Sequence, residues 1–554
     1  MTTLTSHLEH TIHETMKHSR VAGLAIALIK DGELVAAEGY GEANVGTGAK
    51  ITPDTRFSVM SVTKTIVSTA VMQLRDHGLL DLDAPVNQYL APTHITNQWE
   101  AESPVTTRQL LTHTSGIPVG MNPPPGPRSL ADFVDLAART THRPGTDMIY
   151  ANWGFDAVGV LIERLSGKSV DVYLRESIFE PLGMTASALT NPADGEPRAY
   201  GHYRSALDEA LRILPLPEWP TTPASPAGGV WSNVLDLSKF LIAHLSPYVG
   251  QGPSPDSPSF VGQGPSPDSI REMHSLNARQ GSSESGQGIG FRVTNVNGRH
   301  TILHGGDGGG FTAYVAAHPE ERAAVAMLMN TGGMQAARSI IGSTALASLA
   351  EPVRRTLGDT ASVPEGVYAS SFWDVVLEAH DDELIATTGN VMSEDPAASK
   401  LHPITPNVFE GEGGIFHGFE VTLEGDQLYG GIYPFTFTRT GDLPDEPSSV
   451  DEGAHLTGDW RGLVTTPLGP LSLTLHITSD SALTADTPFA QNVAAANVRA
   501  ESGQVEGEFT VTVPVVGELQ LFLRLAVRGG KLIGNTYGRS DFGEAPFATT
   551  LERT

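Results

Sequence analysis

The sequence predicts an α+β domain followed by two all-β units. Three observations carry that reading. Residues 22–42, "AGLAIALIKDGELVAAEGYGE", are two alternating runs around Lys30-Asp31-Gly32, a hairpin pattern. Helical spacing then dominates until alternating runs return near residue 300. After about residue 355 helical spacing ends, and short strands with glycine turns take over.

The bulk properties fit. A chain of 554 residues exceeds one hydrophobic core, so two to four domains are expected. The apolar share of 40% is ordinary for a globular protein. The net charge of −28 argues against nucleic-acid binding and against docking on anionic membranes. With no cysteine, disulfides and thiolate metal sites are excluded. The start, "MTTLTSHLEHTIHETMKHSR", reads as a polar amphipathic helix without the basic head and apolar run of a signal peptide. No apolar run reaches transmembrane length. The expectation is a soluble, cytoplasmic protein.

In chain order, "FSVMSVTKTIVSTAVMQL" (57–74) reads as a long helix. Residues 104–117 start a helix after Pro104 and stop it at Gly116. Helices from Asn152 and from Val230 follow, the first with a glycine stop. "VGQGPSPDS" occurs at 249 and again at 261, and such composition predicts a mobile insertion loop. In "HGGDGGGFTAYVAAHPEERAAVAMLMNT", from His304, "HPEER" is a turn between two strands. Hairpin, helices and returning strands predict an antiparallel sheet flanked by helices over residues 1–355. The polar stretch 440–453 divides the remainder into residues 356–445 and 454–554. Each piece is long enough for about eight short strands, and closure into a barrel removes exposed edges.

Three groups carry chemistry. Ser61 and Lys64, three apart, share one helix face. A desolvated amine loses basicity and, when neutral, takes a proton from a hydroxyl. Alone the pair also fits a helix whose lysine reaches water. Tyr150 and Asn152 lie two apart before a helix, so both can point one way. A phenol beside an ammonium is acidified and can shuttle protons, and an asparagine can bond both an amine and a carbonyl. The bland alternative is a packed ring beside a helix cap. In "HGGDGGGF", Gly305 and Gly306 leave a strand bare, which fits close approach of a backbone or a ligand, and the bland alternative is a glycine-rich hairpin with an incidental histidine. The histidines lack paired ligand spacing, so neither a metal nor another cofactor is expected.

Together the order and spacing are specific. Through "SVMSVTK", "LLTHTSGI", "YANWGFDAVGVLIE", "EPLGMT", "AGGVWSNVLDLSKF" and "HGGDGGGF", residues 5–345 resemble the class C β-lactamase and penicillin-binding-protein superfamily. The resemblance implies a five-stranded antiparallel sheet flanked by helices, an all-helical region and a site between them. It implies Ser61 as nucleophile, Lys64 as its activating neighbour, Tyr150 as proton shuttle and Asn152 as a positioning group for Lys64 and substrate. His304 stands where β-lactamases usually carry lysine. A mostly neutral histidine is less prepared to clamp a carboxylate. His-x-Gly, with Gly306, is instead similar to D-stereospecific aminopeptidases, D-amino-acid amidases and some esterases. The oxyanion hole implied is the Ser61 N–H with that of Asp307.

D-aminopeptidases of the superfamily also carry two β-barrels in this order. The resemblance implies a loop of the last barrel over the site, here "LTADTPFAQN" (483–492), with Asp486 facing a substrate amine. The expected function is a serine hydrolase that releases N-terminal D-residues from small peptides or amides through an acyl-enzyme. The rivals are a broad carboxylesterase or weak β-lactamase, and a non-catalytic peptide-binding protein with a relic site. The expected partner is a small-molecule or peptide substrate, with a homodimer allowed. Ser115, in "HTSGI", is the decoy nucleophile.

Overall fold

The computed structural model describes residues 4–554 except 119–128, 193–196, 205–210, 214–224, 249–263, 352, 354–363, 371–373, 381–382, 390–397, 434–435, 442–450, 452–453, 467–468, 480–481, 502, 514–516, 529 and 541–542. Helix α1 (Ser6–His18) is capped by Thr5, whose hydroxyl accepts from the Leu8 N–H at 3.3 Å. Its buried face is Leu8 and Ile12, one turn apart. Strands β1 (Gly23–Lys30) and β2 (Glu33–Asn44) are joined at Asp31-Gly32, with φ of 54° and 77°. Positive φ at both positions is the two-residue hairpin geometry that an Asp-Gly pair favours.

The later strands are β3 (Arg292–Val296), β4 (Arg299–Gly308), β5 (Phe311–His318) and β6 (Ala323–Met329). Side by side they run β2, β1, β6, β5, β4, β3, all antiparallel. Two-residue strands at Ala49–Lys50, Gly286–Gln287 and Ala278–Arg279 extend the sheet to nine. The nine strands make a wider sheet than the five-stranded one the resemblance implies. Alternation along β1 feeds two cores. Ala25, Ala27 and Ile29 join the cluster of the helical region. Leu24, Ile26 and Leu28 join a second cluster on the other face. That is why β1 reads as an almost unbroken apolar run.

Helices α2 (Thr63–Asp76), α3 (Asn152–Ser166) and α4 (Val234–Leu245) pack on the first face. Gly167, at φ 69°, ends α3 as the sequence suggested. The helix of residues 57–74 is shorter than read. Phe57–Ser58 is a strand fragment against Trp231–Ser232, and Met60–Val62 is a 3₁₀ turn. Likewise the helix read over 104–117 spans only Thr107–Leu111, set by a Thr106–Gln109 capping box. Helix α5 (Gln335–Ala347) covers the second face.

The first copy of the duplicated unit lies outside the described residues. Of the second copy, the described residues from Gly264 on are not the loop expected of them. Ser266 caps a helix over Pro267–Met273, and its N–H donates to Asp76 at 2.7 Å. Ser266-Pro267 is a start signal that composition alone obscured.

Two all-β units follow. Eight strands between Gly366 and Gly441 close into a barrel. Nine strands between Gly458 and Arg553 form a nearly closed one. Its last strand pairs with its first, and its seam lies between Val493–Ala494 and Ala496–Glu501. Among the described residues no helix is long and apolar enough to cross a membrane.

Candidate active site

Ser61 sits in the 3₁₀ turn ahead of α2, partly open to solvent. The preceding Met60 holds φ 48°, a costly conformation for a bulky residue. It turns the chain sharply from strand fragment to helix and presents Ser61 at the bend. Lys64 follows in the first turn of α2 and is wholly buried. Its Nζ lies 3.1 Å from Ser61 Oγ, 2.8 Å from Asn152 Oδ1 and 2.6 Å from the Ala227 carbonyl. Lys64 therefore does not snorkel.

Burial pulls the Lys64 amine down to about 7, against a smaller opposing pull from Asp156. A shift of that size reflects on the order of 5 kcal/mol of lost preference for the charged form. Asp156, on α3, is itself pushed up by burial and accepts from Ser225 Oγ at 3.1 Å. The same Ser225 hydroxyl accepts from the Ala227 N–H at 3.2 Å. Asp156 thus braces the loop whose carbonyl holds Lys64. Asp156 and Ala227 lie inside the quoted motifs without a role being visible there, and Ser225 lies outside them.

Tyr150 and Asn152 flank Ala151, which is extended at φ −128° and ψ 106° and caps α3 with its backbone alone. Both side chains consequently reach Lys64. Its Nζ lies 4.9 Å from the Tyr150 ring centre. Ser61 pulls the Tyr150 hydroxyl toward greater acidity. Its acidity departs from the sequence expectation. Burial, aided by the Asp307 carboxylate, raises the phenol above its ordinary value and outweighs the lowering by Ser61 and Arg338. A near-neutral lysine is a poor acidifier, so Tyr150 rests as a phenol. His113, of the "LLTHTSGI" motif, orders this segment. Its Nδ1 accepts from the Ala151 N–H at 3.1 Å, and its ring lies 4.4 Å from that of Tyr150. The motif was visible in sequence, but this role was not.

β4 closes the site. A Cβ at Gly306 would lie 2.4 Å from the Val59 carbonyl oxygen and 3.0 Å from Ser61 N. The bare strand exists because the nucleophile's backbone lies against it. β4 is internal to the sheet, but β3 pairs with it only as far as Leu303. Its end, His304 to Gly308, bonds β5 alone. The Gly309-Gly310 loop, with φ of 54° and 78°, makes Gly308 and Phe311 the closing pair. Alternation then turns the Asp307 N–H away from β5, toward the open edge.

His304 is buried. Its Nδ1 lies 2.6 Å from the Gly305 carbonyl, which can only accept, so Nδ1 carries the proton. Burial, with help from Lys64, pulls the ring down to about 3. His304 is neutral at pH 7.

The Asp307 side chain was not foreseen. It accepts from Thr312 Oγ1 at 3.2 Å, pairs with the Arg338 guanidinium, and accepts from the Tyr433 hydroxyl. Arg338 comes from α5, and Tyr433 from the first barrel. Asp486, expected over this site, is engaged elsewhere. It lies 3.3 Å from His476 Nε2 and accepts from the Asn492 N–H at 2.7 Å, both within the second barrel. The structure brings together Ser61, Lys64, Tyr150, Asn152, His304, Gly306 and Asp307, whereas the contacts described for Asp486 are to His476 and Asn492 of its own barrel. Its polar hairpin is satisfied by its own sheet, a competition that length and order of domains could not reveal. Among the described residues no group of three or more His, Asp or Glu side chains could hold a metal.

Residues 8–348 match the family model described as Beta-lactamase, more than half of the chain. Penicillin-binding protein 4 of Amycolatopsis lactamdurans is 29% identical over 337 residues, which is 59% of this chain and 85% of that protein. The match to protein flp of Staphylococcus aureus, at 23% identity over 58% of this chain, spans 62% of that protein, less than two thirds of its length. The octameric penicillin-binding protein homologue from Pyrococcus abyssi is similar in fold. Its TM-score is 0.54 at 24% identity, over 79% of this chain and all of that one. SurE with D-Leu gives 0.50 at 22% identity, over 78% and 99%.

Proposed function

The chain belongs to the Beta-lactamase family and is a serine hydrolase, and from that premise we propose a D-stereospecific aminopeptidase or amidase working through an acyl-enzyme. The carrying observation is Lys64: buried, near neutrality at pH 7, and 3.1 Å from Ser61 Oγ. The neutral amine takes the Ser61 proton as Oγ attacks the substrate carbonyl. The oxyanion forms against the N–H groups of Ser61 and Asp307. Tyr150, as a phenol whose acidity Ser61 influences, passes a proton to the leaving amine and is reprotonated from Lys64. Water then resolves the ester by the reverse path.

The choice of an amine-bearing substrate over a β-lactam rests on charge. His304 is neutral, and Arg338 is matched by Asp307, so the cations beside β4 are spent. A neutral wall does not clamp a carboxylate and does not repel an ammonium. The fold relative solved with D-Leu supports the D preference. Turnover of D- and L-alanine p-nitroanilide, p-nitrophenyl acetate and a chromogenic cephalosporin tests the reading. We expect the D-anilide to exceed its L-isomer by about 10–200-fold, the scale a shaped pocket delivers. Equal rates refute the D preference, and activity on the ester alone makes the protein a carboxylesterase.

A further inference from the structure

The end of β4 is gripped from both faces. Gly306 turns toward the nucleophile. Gly305 and Asp307, its neighbours, turn the other way. A Cβ at Gly305 would lie 2.8 Å from Ile432 Cγ2 and 2.9 Å from Arg338 Nη1. The Asp307 carboxylate takes the Arg338 guanidinium and the Tyr433 hydroxyl. Ile432 and Tyr433 both belong to the first barrel.

We propose that Tyr433, supplied by the first barrel, is a positioning residue that clamps Asp307 together with Arg338 and so fixes the oxyanion-facing N–H. The proposal rests on the oxyanion role given to Asp307 above. Three observations carry it. With β3 absent beyond Leu303, this end of β4 lacks a second neighbour to hold it. Asp307 meets three donors instead, from β5, α5 and the barrel. Tyr433 is also held in place and reaches the relay. The Arg338 guanidinium lies 5.3 Å from its ring, and the Tyr433 ring stands edge-on to Tyr150 at 5.8 Å and 76°. A catalytic group displaced by about 1 Å costs roughly a hundredfold in rate. A strand end held only by its hairpin is free to make such a shift.

Tyr433→Phe in the full chain keeps the ring and removes the donor. Steady-state kinetics are read on D- and L-alanine p-nitroanilide and on p-nitrophenyl acetate, beside thermal melts. The clamp predicts kcat lower by about 10–100-fold on every substrate turned over. KM stays within about twofold, and the D/L ratio holds, because the oxyanion is common to all. Asp307→Asn gives the same pattern, and the double variant is no worse than the worse single one. A changed KM with kcat intact makes Tyr433 a substrate contact and overturns the proposal. So do fully multiplicative losses, a loss that tracks the melting midpoint, or no effect. If the native protein ignores both anilides yet cleaves the ester, the peptidase reading fails while the ester series still decides the clamp.

Discussion

The two C-terminal barrels resemble each other in strand number and differ in what they touch. The first is joined to the catalytic unit at many points. Ser339 and Ser343 of α5 donate to the Ile415 and His417 carbonyls at 2.8 and 2.7 Å. The Asn297 N–H donates to the Gly418 carbonyl at 2.7 Å, and Arg292 Nε to that of Gly431 at 3.3 Å. Phe419 and Ile432 lie in the cluster behind the catalytic sheet, and Tyr150 lies in the barrel's own cluster. The described ion pairs of the second barrel are internal: His476 with Asp459 and Asp486, and Lys531 with Glu552. The lesson is that influence on a site follows shared core, not position in the chain. A barrel that completes the packing around Tyr150 and Asp307 affects their geometry whether or not it touches substrate.

Paired truncations test that contrast. Phe419→Ala removes a fully buried ring from the shared cluster and is expected to cost about 3–5 kcal/mol and to lower turnover. Phe509→Ala empties a similar volume in the second barrel and is expected to cost a comparable amount there while kcat stays put. Melts and turnover on both variants check this, and equal kinetic damage would erase the distinction.

The pH profile probes the catalytic side alone. Lys64 must be neutral to act, and burial lowers it to about 7, so kcat/KM should fall tenfold per unit below that pH and level off above it. His304, at about 3, stays neutral throughout this range. His476, raised by Asp459 and Asp486, sits in the other barrel, and Asp486→Ala should leave the limb in place. A limb that moves with Asp486 would couple the second barrel to the chemistry after all.

His304→Lys is expected to act more gently. A cation beside β4 should slow amine-bearing substrates several-fold by like-charge repulsion and help carboxylate-bearing ones. A parallel response of both classes would mean that residue 304 does not face the substrate. The smallest effect is expected from Asp486→Ala on selectivity. With Asp486 bonded to His476 and Asn492, the D/L ratio should move by less than about twofold.

What the sequence reveals and conceals divides along the same line. Asp31-Gly32, Gly167 and the alternation of β4 to β6 are local signals, and the fold built from them is as read. Ser61, Lys64, Tyr150 and Asn152 were legible because nucleophile and base stand one helix turn apart, and the relay pair straddles one extended residue. Arg338, Tyr433 and Ser225 were not, because each reaches the site through a tertiary contact that leaves no spacing behind. The Tyr150 phenol departs from the sequence expectation for a related reason. Its acidity depends on burial and on Asp307, neither of which a Tyr-x-Asn pattern encodes. The resemblance implies a gating loop from the second barrel, and the contacts described around Asp307 and Tyr150 come from Tyr433 of the first.

The central claim is that Ser61 is the nucleophile activated by Lys64. A fluorophosphonate probe followed by peptide mapping tests it directly. We expect one modified peptide carrying the adduct on Ser61, loss of labelling and at least a roughly 10⁴-fold loss of turnover in Ser61→Ala, and undiminished labelling in Ser115→Ala. An adduct on Ser115 or on any other serine, or labelling that survives Ser61→Ala, would contradict it.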